Sequence, residues 1–153
     1  MKKNGALWLQ VGVVILVALG LGITFLPSGP QTDAGSPMAG EGPAVPFYLN
    51  FELAKKEATK DGKPIFIFFH TGWCGYCRQM ERTTLRDPNV ILAAKDIVGV
   101  RLDADAEKSL ASMYGADGYP FLVLLNSKGE AIATHAGYLG AGQMIQFLAK
   151  AKS

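Results

Sequence analysis

Charged residues and cysteines are both scarce in this chain of 153 residues. Asp, Glu, Lys and Arg make up 18% of it, against about 25% in an average globular protein. Two cysteines and two histidines, His70 and His135, are the soft metal ligands, and their spacing matches no zinc-finger pattern, which argues against structural zinc. The length excludes a barrel enzyme or a two-domain dehydrogenase, and no nucleotide-binding fingerprint is present. We therefore expect neither a metal nor a cofactor.

The net charge of +2 has a local origin. Of the 15 basic residues, Lys2 and Lys3 precede the first acidic residue, and the other 13 balance the 13 acidic residues of the chain. A nucleic-acid-binding protein needs a clustered basic face, and Lys55–Lys56 is the one further adjacent basic pair. We therefore expect no nucleic-acid partner.

The longest uncharged apolar run lies at residues 6–26 and reads ALWLQVGVVILVALGLGITFL. As a helix it would span about 31 Å, which matches a hydrocarbon core of about 30 Å. A cleaved signal peptide has a shorter apolar core and a small-x-small site after it, whereas Pro-Ser-Gly-Pro follows this run. Lys2 and Lys3 precede it, so the positive-inside rule keeps residues 1–5 in the cytoplasm. We expect an uncleaved signal anchor, with a cleaved signal peptide as the alternative.

A segment rich in proline and glycine follows the apolar run. Nine of the 20 residues at positions 27–46 are Pro or Gly, and none is aromatic. Such a composition cannot bury a core and is typical of a flexible tether. Residues 47–153 remain for one small globular domain without internal repeats, which we expect to be a monomer.

The globular part alternates between strand-like and helical patterns. Apolar runs bounded by turn residues predict strands at residues 65–69, 97–102, 121–125 and 131–135. Helical spacing predicts helices at residues 47–60, with Asn50 as a candidate N-cap, and at 78–85, 87–94, 107–114 and 141–151. This order is that of an α/β domain with a parallel first pair of strands and an antiparallel end.

The two cysteines, Cys74 and Cys77, form a C-x-x-C motif where the first predicted strand gives way to a helix. A c-type haem site needs a histidine after the second cysteine, but Arg78 stands there. A purely structural disulfide remains an alternative, although a bridge across so short a loop constrains the unfolded chain little. A redox dithiol is favoured, because strand–C-x-x-C–helix in an α/β chain is its specific context.

Helix physics suggests different roles for the two cysteines. At a helix N-terminus, Cys74 would face unpaired N–H groups and the positive end of the helix dipole, which stabilise a thiolate. Cys74 is therefore the candidate nucleophile, and Cys77 is the candidate resolving residue that attacks the mixed disulfide. Trp73 either shields one side of the sulfurs or is a plain core aromatic.

The motif WCGYC after an apolar strand, with Gly-Tyr-Pro before a later strand, resembles the thioredoxin superfamily over nearly all of residues 47–153. Within it, GKPIFIFFHTGWCGYC followed by Glu81 is similar to the C-terminal periplasmic domain of the transmembrane reductase DsbD and its small thioredoxin-like relatives. The resemblance implies a thioredoxin-like fold, with a central mixed sheet flanked by helices.

The resemblance also implies the layout of the active site. Cys74 and Cys77 would form a redox-active disulfide, and Pro120 would be a cis-proline packed beside it. The backbone of Tyr119 would pair with the substrate chain as a short strand. The implied substrate-binding residues are Trp73, Tyr76, Tyr119 and Pro120.

One position departs from the common thioredoxin pattern. Thioredoxins commonly carry a buried Asp six residues before the first cysteine, and Phe68 occupies that position here. Relatives of the DsbD domain carry an acid four residues after the second cysteine, which Glu81 matches. The hypothesis is that Glu81 accepts the proton of Cys77, and the alternative is a surface carboxylate. His70 either tunes the site or is merely packed or solvated at a strand end.

The apolar run and the resemblance together favour a single-pass protein of the inner membrane that carries a thiol–disulfide oxidoreductase domain in the periplasm or another extracytoplasmic space. It would reduce disulfides of envelope proteins, apocytochromes c among them, with electrons from a membrane donor of DsbD type. The Gly75-Tyr76 dipeptide also resembles the disulfide isomerase DsbC, which leaves an isomerase or oxidase open. A non-enzymatic copper(I)-binding or chaperone-like module of the same fold is the remaining alternative.

Overall fold

The computed structural model describes residues 44–152. Its strands are β1 (Phe47–Tyr48), β2 (Ile65–His70), β3 (Val98–Asp103), β4 (Phe121–Leu125) and β5 (Ala131–Ala136). Its α-helices are α1 (Phe51–Asp61), α2 (Gly75–Arg82), α3 (Pro88–Ala94), α4 (Lys108–Met113) and α5 (Ala141–Ala149). Short 3₁₀ turns follow α2 and α5, at Thr84–Arg86 and Lys150–Lys152. The predicted anchor at residues 6–26 lies outside the described residues.

The five strands form one mixed sheet in the order β1-β3-β2-β4-β5. Strand β3 pairs in parallel with both β1 and β2. Strand β4 pairs antiparallel with β2 on one side and with β5 on the other. The predicted parallel first pair and antiparallel end are therefore confirmed.

Strands β2 and β4 are buried on both faces, because each lies between two other strands and under helices on each side. Their sequences, IFIFFH and FLVLL, are correspondingly continuous apolar runs. Phe66 and Phe68 pack against α2, α3 and α5 on one face of the sheet. Ile65 and Ile67 pack against α1 and α4 on the other face. No helix within residues 44–152 is both long and apolar enough to cross a bilayer.

The helix predicted at residues 47–60 is wrong in its first turn. Phe47–Tyr48 forms the short edge strand β1, and α1 begins at Phe51 after the N-cap Asn50, whose side chain accepts a hydrogen bond from the Leu53 N–H at 3.0 Å. Phe47 and Tyr48 are extended because they pair with β3, and this pairing depends on Gly99. A Cβ there would lie 2.5 Å from the Pro46 carbonyl oxygen, so only glycine admits the strand.

The helix predicted at residues 78–85 is also displaced. It begins at Gly75, after the N-cap Cys74, and ends at Arg82, because the backbone of Thr83 leaves the helical region (φ −118°, ψ −81°) and the chain tightens into a 3₁₀ turn. Val45, which the tether prediction included, is buried, and its N–H donates to the Leu85 carbonyl at 2.9 Å.

Candidate active site

The two cysteines form a disulfide at the C-terminal end of β2, with an S–S distance of 2.02 Å. Cys74 is the N-cap of α2, and its Sγ accepts a hydrogen bond from the Cys77 N–H at 3.0 Å. The Cys74 N–H donates to the Thr71 carbonyl at 3.2 Å, which ties the active-site loop to the strand end. Both cysteines are nearly buried, with 4% of Cys74 and 1% of Cys77 exposed.

This arrangement suits the chemistry predicted for Cys74. An N-cap sulfur that accepts a backbone N–H occupies the place of the side-chain oxygens that normally cap helices. The helix N-terminus and the same N–H stabilise a negative charge on that sulfur once the disulfide is opened. The attacking role of Cys74 remains a prediction, but the local geometry it requires is present.

The peptide bond between Tyr119 and Pro120 is cis, as the resemblance implied. It lies directly before β4, and the Pro120 carbonyl accepts a hydrogen bond from the Gly137 N–H at 2.7 Å. The Tyr119 ring meets the Trp73 ring edge-to-face, with centroids 6.0 Å apart. The proline loop therefore contacts the residue that precedes the first cysteine.

Two large aromatic side chains next to the disulfide are exposed. Trp73 is 70% and Tyr76 is 65% exposed, so Trp73 is not a plain core aromatic. Aromatic rings in contact with solvent beside a buried reactive group are suited to bind a partner chain. The substrate-binding role of these residues stays a prediction.

Glu81 is joined to an arginine that the sequence did not single out. Its Oε1 lies 2.6 Å from Nε of Arg101, in the middle of β3, and the two side chains are 29% and 21% exposed. Glu81 is therefore not a free surface carboxylate. Whether it takes the Cys77 proton stays a prediction.

Comparisons with known proteins assign the family. Residues 51–152 match the family described as the thioredoxin-like domain. The chain belongs to this family. A relative is "Protein disulfide-isomerase erp38" of Neurospora crassa, 30% identical over 92 residues, which cover 60% of this chain and 25% of that protein.

Two further likenesses of this thioredoxin-like chain concern DsbD. "Thiol:disulfide interchange protein DsbD" of Ralstonia nicotianae is 30% identical over 81 residues, which cover 50% of this chain and 13% of that protein. The reduced C-terminal domain of Neisseria meningitidis DsbD is 25% identical with a TM-score of 0.55, covering 65% of this chain and 91% of that one. The chain spans 26% or less of the length of the first curated relatives it matches.

In this thioredoxin-like chain, the position of the common buried acid is wholly apolar. Phe68 is fully buried in the same cluster as Cys74 and Cys77. The Phe68 ring stacks on the His70 ring, with centroids 6.1 Å apart. Burial, followed by the Arg101 guanidinium, lowers the pKa of His70 below its ordinary value. His70 is therefore uncharged at neutral pH, which favours the packed interpretation of this residue.

Tyr138 is a second residue of the site that sequence reasoning missed. Its ring lies 6.4 Å from the Tyr76 ring, and its hydroxyl lies 3.2 Å and 3.3 Å from those of Thr83 and Thr84. The Thr84 hydroxyl donates to the Leu139 carbonyl at 2.7 Å, which fixes the loop after β5 to the end of α2. An aromatic residue in a loop has no periodicity to mark it. The one nearby feature of the sequence is the preceding Gly137, a residue type typical of turns, whose φ in the structure is +100°.

Within residues 44–152, no three His, Cys, Asp or Glu side chains lie close enough together to hold a metal ion. Asp103 Oδ1 instead accepts the Asp105 N–H at 2.9 Å and shapes the turn before α4.

Proposed function

We propose that this chain is a thiol–disulfide oxidoreductase that acts as a reductase of protein disulfides. The observation that carries the proposal is the Cys74–Cys77 disulfide at the N-terminus of α2, beside a cis-proline loop and two exposed aromatic rings. The disulfide, the helix N-terminus that would stabilise a thiolate and the exposed rings that could bind a substrate thus lie side by side. The relatives named as protein disulfide isomerases and as DsbD support this class of reaction.

The proposed cycle is a two-electron exchange. With both cysteines reduced, the Cys74 thiolate attacks a substrate disulfide and one substrate thiolate leaves. Cys77 then loses its proton and attacks Cys74 Sγ, which forms the enzyme disulfide and releases the second substrate thiolate. The substrate disulfide is reduced and the enzyme dithiol is oxidised, so a donor must return two electrons before the next turnover.

The proposed docking mode uses the Tyr119 backbone and the two exposed rings. The Tyr119 backbone, held by the cis bond, would receive an extended substrate segment as a short strand. Trp73 and Tyr76 would cover apolar side chains that flank the substrate cysteine.

The proposed location is the periplasmic face of the inner membrane. The supporting feature is the apolar run at residues 6–26, preceded by two lysines and followed by a tether rich in proline and glycine. A domain on such a tether would serve envelope proteins, apocytochromes c among them. A membrane protein of DsbD type would return the electrons.

Insulin reduction by dithiothreitol tests the activity with the full chain in detergent. Wild type should accelerate it and Cys74→Ser should abolish the acceleration. Lys63→Gln, at a partly exposed site before β2 and away from the cysteines, should behave as wild type. Stoichiometric copper(I) binding without acceleration would contradict the proposal and favour the metal-binding alternative.

The direction of electron flow is tested by the reduction potential of the Cys74–Cys77 pair, measured in glutathione or dithiothreitol buffers. A value near about −270 mV supports a reductant, and one near about −120 mV would make the protein an oxidant. The relatives named as protein disulfide isomerases keep isomerisation as the second candidate. Refolding of a scrambled disulfide protein without added reductant would favour that candidate. Trapping with Cys77→Ser would then identify substrates.

A further inference from the structure

One ion pair connects the centre of the sheet to the helix that carries the cysteines. Arg101 of β3 donates from Nε to Glu81 Oε1 of α2 at 2.6 Å, and the two side chains are 21% and 29% exposed. The ion pairs on and just after α1, by contrast, join side chains that are 38–74% exposed and lie within three residues of each other. The Arg101–Glu81 pair is thus long-range in sequence and more shielded from water than those pairs.

The pair lies on the face of the sheet that holds the disulfide. Arg101 stands opposite Phe68 in the register of β2 and β3, and side chains at paired positions project to the same side of a sheet. Phe68 packs in the cluster that contains both cysteines. Glu81 is four residues after Cys77 on α2, so it lies one turn further along the same helix face.

Arg101 also approaches His70, at the end of β2. Its terminal nitrogen Nη2 lies 3.5 Å from Nδ1 of His70, whose pKa is lowered by burial and then by Arg101 itself. Glu81 and Asp103 act on His70 in the opposite direction. An uncharged His70 neither competes with Arg101 for the carboxylate nor repels the guanidinium.

We propose that Arg101 is a positioning residue for the second step of the exchange reaction. Bound to Arg101, the Glu81 carboxylate stays on the Cys77 side of α2 instead of turning to water. It is then in place to take the proton from Cys77, directly or through water. The inference rests on the proposed function only in that Cys77 resolves a mixed disulfide.

The step balances without a further reactant. The Cys77 S–H bond breaks, and its proton goes to the Glu81 carboxylate. Cys77 Sγ attacks Cys74 Sγ, the bond from Cys74 to the substrate sulfur breaks, and the substrate leaves with the electron pair as a thiolate. The Glu81 proton then passes to that thiolate or to solvent, which restores the carboxylate.

The attack by Cys74 and the release by Cys77 are measured separately with a substrate made of two short peptides joined by a disulfide. Each peptide carries a different fluorophore. Loss of energy transfer reports the attack by Cys74, and the later fall in anisotropy of the retained peptide reports its release by Cys77. The full reduced chain in detergent is compared with Arg101→Gln, Glu81→Gln, the double variant and Arg101→Lys. The matched control Lys63→Gln removes an exposed ion pair.

Arg101→Gln is expected to slow release about tenfold, a part of the roughly 10²–10⁴-fold that general acid–base catalysis contributes, while the attack changes less than about twofold. Glu81→Gln should slow release at least as much, and adding Arg101→Gln to it should slow release no further. Arg101→Lys should restore most of the release rate.

Three outcomes would overturn the inference alone. The first is that Arg101→Gln releases the peptide as fast as wild type does. The second is that attack and release slow equally in Arg101→Gln. The third is that Arg101→Gln slows release by the same factor in the Glu81→Gln background as in the wild-type background. The last would make Arg101 a direct charge on the sulfurs. A wild type that leaves the peptide disulfide intact would overturn the proposed function as well.

Discussion

Replacing Trp73 by alanine separates substrate docking from folding. The side chain is 70% exposed, so of the roughly 250 Å² that a tryptophan offers, about 175 Å² is open to a partner. If a docked substrate covers about half of that area, burial at about 25 cal/mol per Å² contributes about 2 kcal/mol. That energy corresponds to about a 30-fold change in affinity, and ordering costs bring the expected rise in KM to about tenfold to 30-fold.

The assay compares a large with a small substrate. Insulin is large enough to cover the Trp73 ring when its disulfide meets Cys74, whereas the small disulfide dithiobis-nitrobenzoate contacts little beyond the sulfurs. Trp73→Ala should raise KM for insulin by the amount above, change the rate with the small disulfide less than about twofold, and lower the free energy of unfolding by only about 1 kcal/mol. An equal loss with both substrates would refute the reasoning, because Trp73 would then act on the sulfurs. An unchanged KM for insulin would refute it as well.

Three further predictions concern stability. Phe68→Ala empties a fully buried position and should lower the free energy of unfolding in urea by about 3–5 kcal/mol, against less than about 1.5 kcal/mol for Phe68→Leu. Burial and Arg101 lower the pKa of His70 below 6.5, so as pH falls from 6.5 towards that lowered pKa the unfolded chain binds a proton that the folded chain does not. The free energy of unfolding should therefore fall with pH in this window, and His70→Gln should flatten the slope measured in urea titrations at several pH values. Gly99→Ala places a Cβ 2.5 Å from the Pro46 carbonyl oxygen, and it should lower the melting temperature by circular dichroism, whereas no change would show that β1 can shift without cost.

Much of the fold could be predicted from local patterns. The apolar runs of β2 and β4 bury both faces, so their strand character is visible without knowledge of their neighbours. Strand β4 has the same bounds in sequence and structure, and β2 differs by one residue. Strand β1 could not be predicted, because a two-residue segment has no period and exists only by pairing with β3.

The active site divides in the same way. The dithiol, its position between a strand and a helix, and the proline before β4 could all be predicted, because each is a contiguous feature of the chain. The contacts of Arg101 with Glu81 and of Tyr138 with Tyr76 could not be predicted, because they join residues that are 20 and 62 positions apart in the chain. Neither partner is marked by a local pattern, since an arginine in a strand and a tyrosine in a loop are ordinary surface residues in sequence. Sheet register and helix packing set which distant side chains share a face, and no short window of the sequence contains that information.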